Sequence, residues 1–160
     1  MKKIIFRTFL TIVTIFVFEG CKKSENAKNQ SSEWTFNGTT FKVEDAYYDD
    51  ASNILLASDD AGAVGGGNYV SVLFGSLLKP TGSTTLTVAN FGATSYPSNC
   101  EIHVGSFYGA SQFYSTGKSG DKAILTVSSS GKLKVTFSNI TVSAGSVATT
   151  KTVSGTLIEN

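Results

Sequence analysis

The sequence predicts an all-β protein, an antiparallel β-sandwich of about nine or ten short strands, with a small β-barrel as the alternative. Among 160 residues there are 16 Gly, only 2 Pro and 16% charged residues, a composition typical of turn-rich β chains. Short alternating runs separated by turn residues recur along the chain, and no segment shows three turns of helical periodicity. A hydrophobic content of 41% is enough for a packed core.

The N-terminus predicts a secretory signal over residues 1–20. Lys2, Lys3 and Arg7 provide a basic start, and eleven mostly apolar residues follow from Thr8 to Phe18. This run is shorter than the about 20 apolar residues of a membrane span. Gly20-Cys21 resembles the lipobox of bacterial lipoproteins, although Glu19 departs from its usual small residue. The resemblance implies lipidation of Cys21 and a membrane anchor; the alternative is an ordinary signal peptide.

Residues 21–32 are predicted to be a lipidated Cys followed by a polar tether, and residues 33–160 a single β-sandwich domain. The tether from Lys22 to Ser32 has no large apolar side chain, which is typical of a solvated linker. The body from Glu33 onward has 7 Lys against 10 acidic residues, a net charge of −3. This balance argues against nucleic acid as a partner.

Two hairpins can be assigned with their register. Asn37-Gly38 is the preferred pair for a type I′ turn, and a two-residue loop pairs Phe36 with Thr39 and Trp34 with Phe41. Trp34 is expected to be a core aromatic; a ligand-stacking platform is the alternative.

The second hairpin turns at Ser129-Ser130-Gly131. A three-residue loop pairs three sets of apolar residues on one face: Val127 with Leu133, Leu125 with Val135, and Ala123 with Phe137. A two-residue loop would place Val127 opposite Lys134, so the alternation selects the longer loop. Lys132, Lys134 and Thr136 are then expected to point to solvent.

Other strands are predicted from alternation and turn residues. They cover Thr39 to Tyr48, Asn53 to Ser58, Asn68 to Leu78, Thr84 to Asn90, Cys100 to Phe107, Gln112 to Ser115 and about Thr152 to Ile158.

Four segments resemble small uncharacterised lipoproteins of the Bacteroidota: Trp34 to Gly38, Gly131 to Phe137, Asn139-Ile140 and Val153 to Leu157. Many of these have a lipobox Cys, a short tether and one β-sandwich. The resemblance implies a lipid-anchored protein of the cell envelope, at the outer membrane, with the periplasmic and surface faces both open. It implies no catalytic residue.

The sequence does not predict an enzyme. His103 is the one His, and Cys100 is the one Cys besides Cys21. In a strand, Cys100 and His103 point to opposite faces, which excludes a Cys-His pair within this segment. One His and one Cys also fall short of a zinc site, and no cofactor is expected.

Two acidic loops contain oxygen ligands of the kind that Ca²⁺ selects. The first holds Asp45, Asp49, Asp50 and Asn53; the second, around the Gly-rich stretch 61–67, holds Asp59, Asp60 and Asn68. Neither has the ligand spacing of a calcium loop, and Asp and Asn favour turns for backbone reasons. Solvated turns without metal are therefore expected, with calcium as the alternative.

The aromatic residues give the candidate binding site. Four rings flank the turn between Phe107 and Tyr114, and Tyr69 is predicted elsewhere on a strand. Tyr69, Tyr108 and Tyr114 are candidate ligand-binding residues, because a tyrosine ring stacks on a ligand while its hydroxyl forms hydrogen bonds. A carbohydrate or a protein would suit such a surface; strands with Phe inward and Tyr hydroxyls outward are the alternative.

The sequence therefore predicts a non-enzymatic, lipid-anchored binding or adhesion module. Two alternatives stay open: an accessory subunit that docks on another envelope protein, and a small barrel that carries an apolar ligand. An exposed Tyr surface would favour the binding module. A bare edge strand would favour the accessory subunit, and an open cavity would favour the carrier.

Overall fold

The computed structural model describes residues 31–43, 45–59, 67–76, 78–107, 109, 111–145 and 149–160. The predicted signal, Cys21 and most of the tether lie outside this range. The described residues are all-β and form eleven strands. They are β1 (Glu33–Phe36), β2 (Thr39–Lys42), β3 (Asp45–Asp49), β4 (Ile54–Ser58), β5 (Asn68–Leu73), β6 (Thr84–Val88), β7 (Asn99–Ser106), β8 (Phe113–Ser115), β9 (Lys122–Val127), β10 (Leu133–Ser143) and β11 (Thr150–Ile158).

The β1–β2 hairpin has the predicted register. Trp34 pairs with Phe41, and Phe36 pairs with Thr39. Asn37 and Gly38 have φ values of 50° and 84°, the positive values that a type I′ turn requires. The Trp34 and Phe41 rings stack with centroids 4.1 Å apart.

The β9–β10 hairpin also confirms its prediction. Val127, Leu125 and Ala123 pair with Leu133, Val135 and Phe137, and Gly131 has a φ of 78°. Lys132 is exposed, whereas Lys134 and Thr136 are half-buried rather than fully solvated. Thr136 is partly covered because its hydroxyl is 3.3 Å from that of Thr156 on β11.

The strands form one mixed sheet in the order β2-β1-β11-β10-β9-β6-β7-β5-β4-β3, with β8 paired to both β7 and β10. This sheet doubles over, because β11 contacts β3 and β4 and Asn160 N donates to the carbonyl of Ala46. We call β2, β1, β11, β10 and β9 the first layer, and β7, β5, β4 and β3, together with β8, the second layer. β6 lies between β9 and β7 and joins the two layers. The sheet begins with β2 and ends with β3, so the fold is a sandwich and not a closed barrel.

The core lies between the layers. Alternate residues of each strand enter it, as period-2 geometry requires. The largest fully buried apolar side chains are Trp34, Leu55, Phe74, Leu86, Ile102, Leu125, Leu133, Ile140 and Leu157.

Several features differ from the predicted strands. There are eleven strands rather than nine or ten, and the strand predicted from Asn68 to Leu78 ends at Leu73. The stretch Thr39 to Tyr48 is two strands, because β2 pairs with β1 in one layer and β3 with β4 in the other. The predicted arm Leu133 to Phe137 continues to Ser143 through a bulge at Asn139, whose φ is 54°. β6 and β7 pair in parallel, whereas the sequence predicted antiparallel pairing throughout. No helix capable of crossing a membrane occurs in the described part of the chain.

Candidate functional site

The outer surface of the second layer carries a row of side chains that crosses five strands. Tyr47 on β3 pairs with Leu56 on β4, and Leu56 pairs with Ser71 on β5. Ser71 pairs with His103 on β7, and His103 pairs with Tyr114 on β8. Residues in cross-strand register on one face are direct neighbours. The pairing therefore brings together residues from distant parts of the chain.

Tyr69 lies in the neighbouring row and covers the β7 backbone. Its cross-strand partner is Gly105, where an added Cβ would lie 2.9 Å from the Tyr69 hydroxyl oxygen. Only a residue without a side chain leaves room for this ring. Phe107 flanks Tyr69 with ring centroids 5.0 Å apart. Burial raises the pKa of the Tyr69 phenol, and the charge of nearby Tyr114 raises it further.

A second group of rings surrounds Tyr114. The Phe91 and Tyr114 centroids are 4.4 Å apart. His103 meets Tyr114 edge-on at 4.9 Å and Phe91 at 5.8 Å. The Tyr114 hydroxyl donates to Oε1 of Gln112 at 2.5 Å.

These rings form one surface, which we call the aromatic face: Tyr47, Tyr69, Phe91, His103, Phe107 and Tyr114. Phe91, Phe107 and Tyr47 are 58%, 50% and 46% exposed. Large rings with half their surface in water are costly to maintain unless something covers them.

Two open hollows lie on this surface, and Tyr114 lines one of them. One has a volume of about 290 Å³ and is lined by Tyr69, His103, Phe107 and Gln112, with Leu56 and Ser71 among the remaining residues. The other, of about 320 Å³, is lined by residues that include Asn90, Phe91, Tyr114 and Ser143. The two volumes lie just below and just above the lower limit of the roughly 300–1,000 Å³ of ligand pockets. The described residues that line them include no Asp, Glu, Lys or Arg.

A buried carboxylate holds the aromatic face in place. Glu101 is 1% exposed, and its Oε1 accepts hydrogen bonds from Ala93 N at 3.1 Å and Thr94 Oγ1 at 2.9 Å. Its Oε2 is 2.9 Å from Nε2 of His103. One side chain thus fixes both the His103 ring and the loop that carries Phe91. A buried carboxylate is stable only when it is hydrogen-bonded in this way.

Ser115 fixes the other side of the cluster. Its buried hydroxyl donates to the carbonyl of Ala89 at 2.6 Å and accepts from Ile102 N at 3.2 Å. β8 has only three residues, so these bonds supplement a short ladder. They position the neighbouring Tyr114 against β7.

The structure places Tyr69 and Tyr114 on the same surface, although 45 positions separate them in the sequence. The third candidate, Tyr108, lies outside the described residues. Sequence reasoning missed Phe91 and the role of Glu101. The alternation of Cys100, Ile102 and Val104 predicts that Glu101 and His103 point outward, and this was the sequence signal for Glu101. No sequence signal identified Phe91, because it lies in a loop after a strand.

The segment around Cys100 has the predicted orientation. Cys100, Ile102 and Val104 enter the core, and His103 belongs to the aromatic face on the other side. Burial raises the pKa of the Cys100 thiol to about 12, which makes it a poor nucleophile. Cys100 and His103 are therefore not arranged for nucleophilic chemistry.

The acidic loops use their carboxylates for turn structure. Asp59 accepts hydrogen bonds from both the backbone N and the Nδ2 of Asn68. Hydrogen bonds from the Ser52 side chain and the Ala51 backbone lower the pKa of Asp49. No three His, Cys, Asp or Glu side chains of the described residues are grouped as metal ligands. Asp60 lies outside this part of the chain.

Trp34 is a core residue, with 1% of its surface exposed. It therefore cannot serve as an open stacking platform on the outer surface.

Comparison with known proteins gives no relative: no family model matches the chain, and neither a curated protein nor a solved structure matches it.

Proposed function

We propose that this protein is a non-enzymatic binding module whose aromatic face takes a neutral carbohydrate. The observation that supports this most is the convergence of Tyr69, His103 and Tyr114 on one open surface, with Phe91 and Phe107 at its edges. The residues come from three separate parts of the chain, and the buried Glu101 fixes His103 and the loop that carries Phe91. Sequence alone predicted a carbohydrate or a protein as ligand.

The chemistry of the surface favours the carbohydrate. The apolar C–H face of a sugar ring packs on an aromatic ring, and its hydroxyls both donate and accept hydrogen bonds. Gln112, Ser71 and the Tyr hydroxyls offer both kinds of group. Each hollow has room for a single sugar ring rather than one large ligand, and the absence of Asp, Glu, Lys and Arg among the described residues that line them suits a neutral sugar.

Affinity electrophoresis of the full chain through gels that contain laminarin, xylan, mannan or dextran would test the proposal. We expect at least one of these neutral polysaccharides to retard the protein. Tyr114→Ala and Tyr69→Ala should each weaken binding about tenfold, equivalent to about 1.4 kcal/mol. The matched control is Ile124→Ala, which removes a 56% exposed side chain from β9 in the other layer.

Two outcomes would contradict the carbohydrate proposal. One is the absence of retardation by any neutral polysaccharide. The other is an equal loss in Ile124→Ala and Tyr114→Ala, which would show binding without use of the aromatic face.

We further propose that Cys21 is lipidated and anchors the module to the outer membrane, with residues 22–32 as the spacer. The support is the basic start, the short apolar run and the Gly20-Cys21 pair. Cys21→Ser should release the protein from membranes and leave the sandwich folded. If the Cys21→Ser protein still sediments with membranes after a high-salt wash, the anchor is not a lipid on Cys21. Protease treatment of intact cells would distinguish the surface from the periplasmic face.

An accessory subunit that docks through an edge strand has less support. The edge strands β2 and β3 have only four and five residues, and short edges are a common protection against strand addition.

A further inference from the structure

The two hollows of the aromatic face are linked by direct side-chain contacts. His103 and Gln112 line the first hollow, of about 290 Å³, and Tyr114 lines the second, of about 320 Å³. The His103 ring meets the Tyr114 ring edge-on with centroids 4.9 Å apart, and the Tyr114 hydroxyl donates to Oε1 of Gln112 at 2.5 Å. We call these three side chains the ridge. The linings of the two hollows therefore meet at the ridge.

Each hollow also has one Phe ring with about half of its surface in water. Phe107 lines the first hollow and is 50% exposed, and Phe91 lines the second and is 58% exposed. A ligand confined to one hollow would leave the ring of the other hollow in water. Because burial of apolar surface favours binding, a ligand that covers both rings gains more than a single sugar does.

The ridge presents a hydrogen-bond donor beside an acceptor. The Tyr114 hydroxyl gives its proton to Gln112, so its oxygen is left to accept a hydrogen bond. Gln112 is exposed, and its Nε2 carries two N–H groups that can only donate. A sugar hydroxyl both donates and accepts, which makes it complementary to this pair.

We infer, on the basis of the carbohydrate function proposed above, that both hollows are subsites for one linear neutral glycan chain. The chain crosses the ridge and places a sugar unit in each hollow. Both hollows are open, so the chain can continue beyond each of them. Once one unit is bound, a later unit of the same chain is held at a high effective concentration beside the other hollow. The affinity should therefore depend on the length of the ligand.

Isothermal titration calorimetry of the full chain with oligosaccharides of increasing length tests this dependence. The probes are the monosaccharide, the disaccharide and the longer oligosaccharides of laminarin, xylan, mannan and dextran. For at least one of these series we expect the affinity to rise at least about tenfold from the monosaccharide to the longer oligosaccharides. The affinity should then level off once the chain spans both hollows.

Two alanine variants test the two hollows separately. Phe107→Ala removes the exposed ring of the first hollow, and Phe91→Ala removes that of the second. Each should weaken binding of the longest oligosaccharide about tenfold and remove most of the gain with chain length. Because both rings are exposed, neither variant should unfold the sandwich. Ile124→Ala is the matched control, since it removes an exposed side chain from the other layer and should leave the length dependence unchanged.

The outcomes distinguish a failure of the two subsites from a failure of the carbohydrate function. Equal affinities for the monosaccharide and the longest oligosaccharide would overturn the two subsites and leave the carbohydrate function intact. A loss in only one of the two Phe variants would do the same, because the chain would then occupy a single hollow. If none of the four series binds, the carbohydrate function fails and the two subsites fail with it.

Discussion

The two outer surfaces of the sandwich differ in the side chains that cover them. On the first layer, Thr35 and Thr40 hydroxyls lie 3.0 Å apart, and Thr136 and Thr156 hydroxyls lie 3.3 Å apart. Cross-strand register extends this polar surface over β1, β2, β10 and β11. The second layer places aromatic rings at the equivalent outward positions.

The difference shows that strand formation alone does not select the rings. Thr and Tyr both have high β propensity, so either type would support the same sheet. Threonine does so without exposing large apolar surface to water. The exposed rings are therefore not required to form the sheet, and Glu101 positions two of them, His103 directly and Phe91 through its loop, at the cost of burying a carboxylate.

The largest effect on the free energy of unfolding is expected on β10, where residues that point to the core alternate with residues on the polar outer surface. Phe137 is 3% exposed, so Phe137→Ala should lower the free energy of unfolding by about 3–5 kcal/mol. Thr136→Ala, one residue away on the outer surface, should cost less than about 1 kcal/mol. Urea unfolding of both variants measures the contrast, and similar losses would contradict the assigned faces.

A smaller contrast is expected between two glycines that accommodate rings. A Cβ at Gly155 would lie 2.9 Å from Trp34 Cβ and 3.1 Å from both the Glu33 carbonyl oxygen and Phe137 Cζ. None of these atoms can easily move, so Gly155→Ala should cost about 1–3 kcal/mol.

Gly105→Ala should cost less, under about 1 kcal/mol, because the Tyr69 ring that it displaces can swing towards solvent. The displaced ring should also weaken carbohydrate binding. Thermal or urea unfolding compares the two variants; a loss at Gly105 equal to that at Gly155 would mean that Tyr69 is held as firmly as the core.

The smallest effect is expected from calcium. A site saturated at 100 times its dissociation constant would add about 2.7 kcal/mol of stability, or on the order of 10 °C in melting temperature. Because Asp59 is already bonded to Asn68, we expect a shift below about 2 °C. A shift near the larger value that disappears in Asp59→Asn with Asp60→Asn would establish a metal site on this side of the sandwich.

Sequence reasoning succeeded where a local turn determines the pairing. Asn37-Gly38 and Gly131 each restrict their turn to one geometry, and alternation then leaves one register that buries the apolar residues. The inward and outward faces of β7 also followed from alternation alone. These features depend on residues within about ten positions of one another.

Features that depend on distant strands could not be predicted in this way. At the Asn139 bulge, the inward positions change from Phe137 to Ile140, so alternation in β10 changes phase. The bulge is supported by Ser154 Oγ, which accepts from Asn139 N at 2.8 Å. The aromatic face likewise requires β5 beside β7 and β7 beside β8, pairings that no local pattern specifies.

The start of the sandwich has a mechanical consequence. The Ser32 hydroxyl donates to the Ile158 carbonyl and accepts from the Ile158 N–H, and β1 is then held between β2 and β11 along all four of its residues. A pull on the preceding chain, directed along β1, would load both ladders in shear, so that their hydrogen bonds share the force instead of breaking one after another. If the proposed tether and ligand are correct, force between them would reach the sandwich without opening it at its first strand.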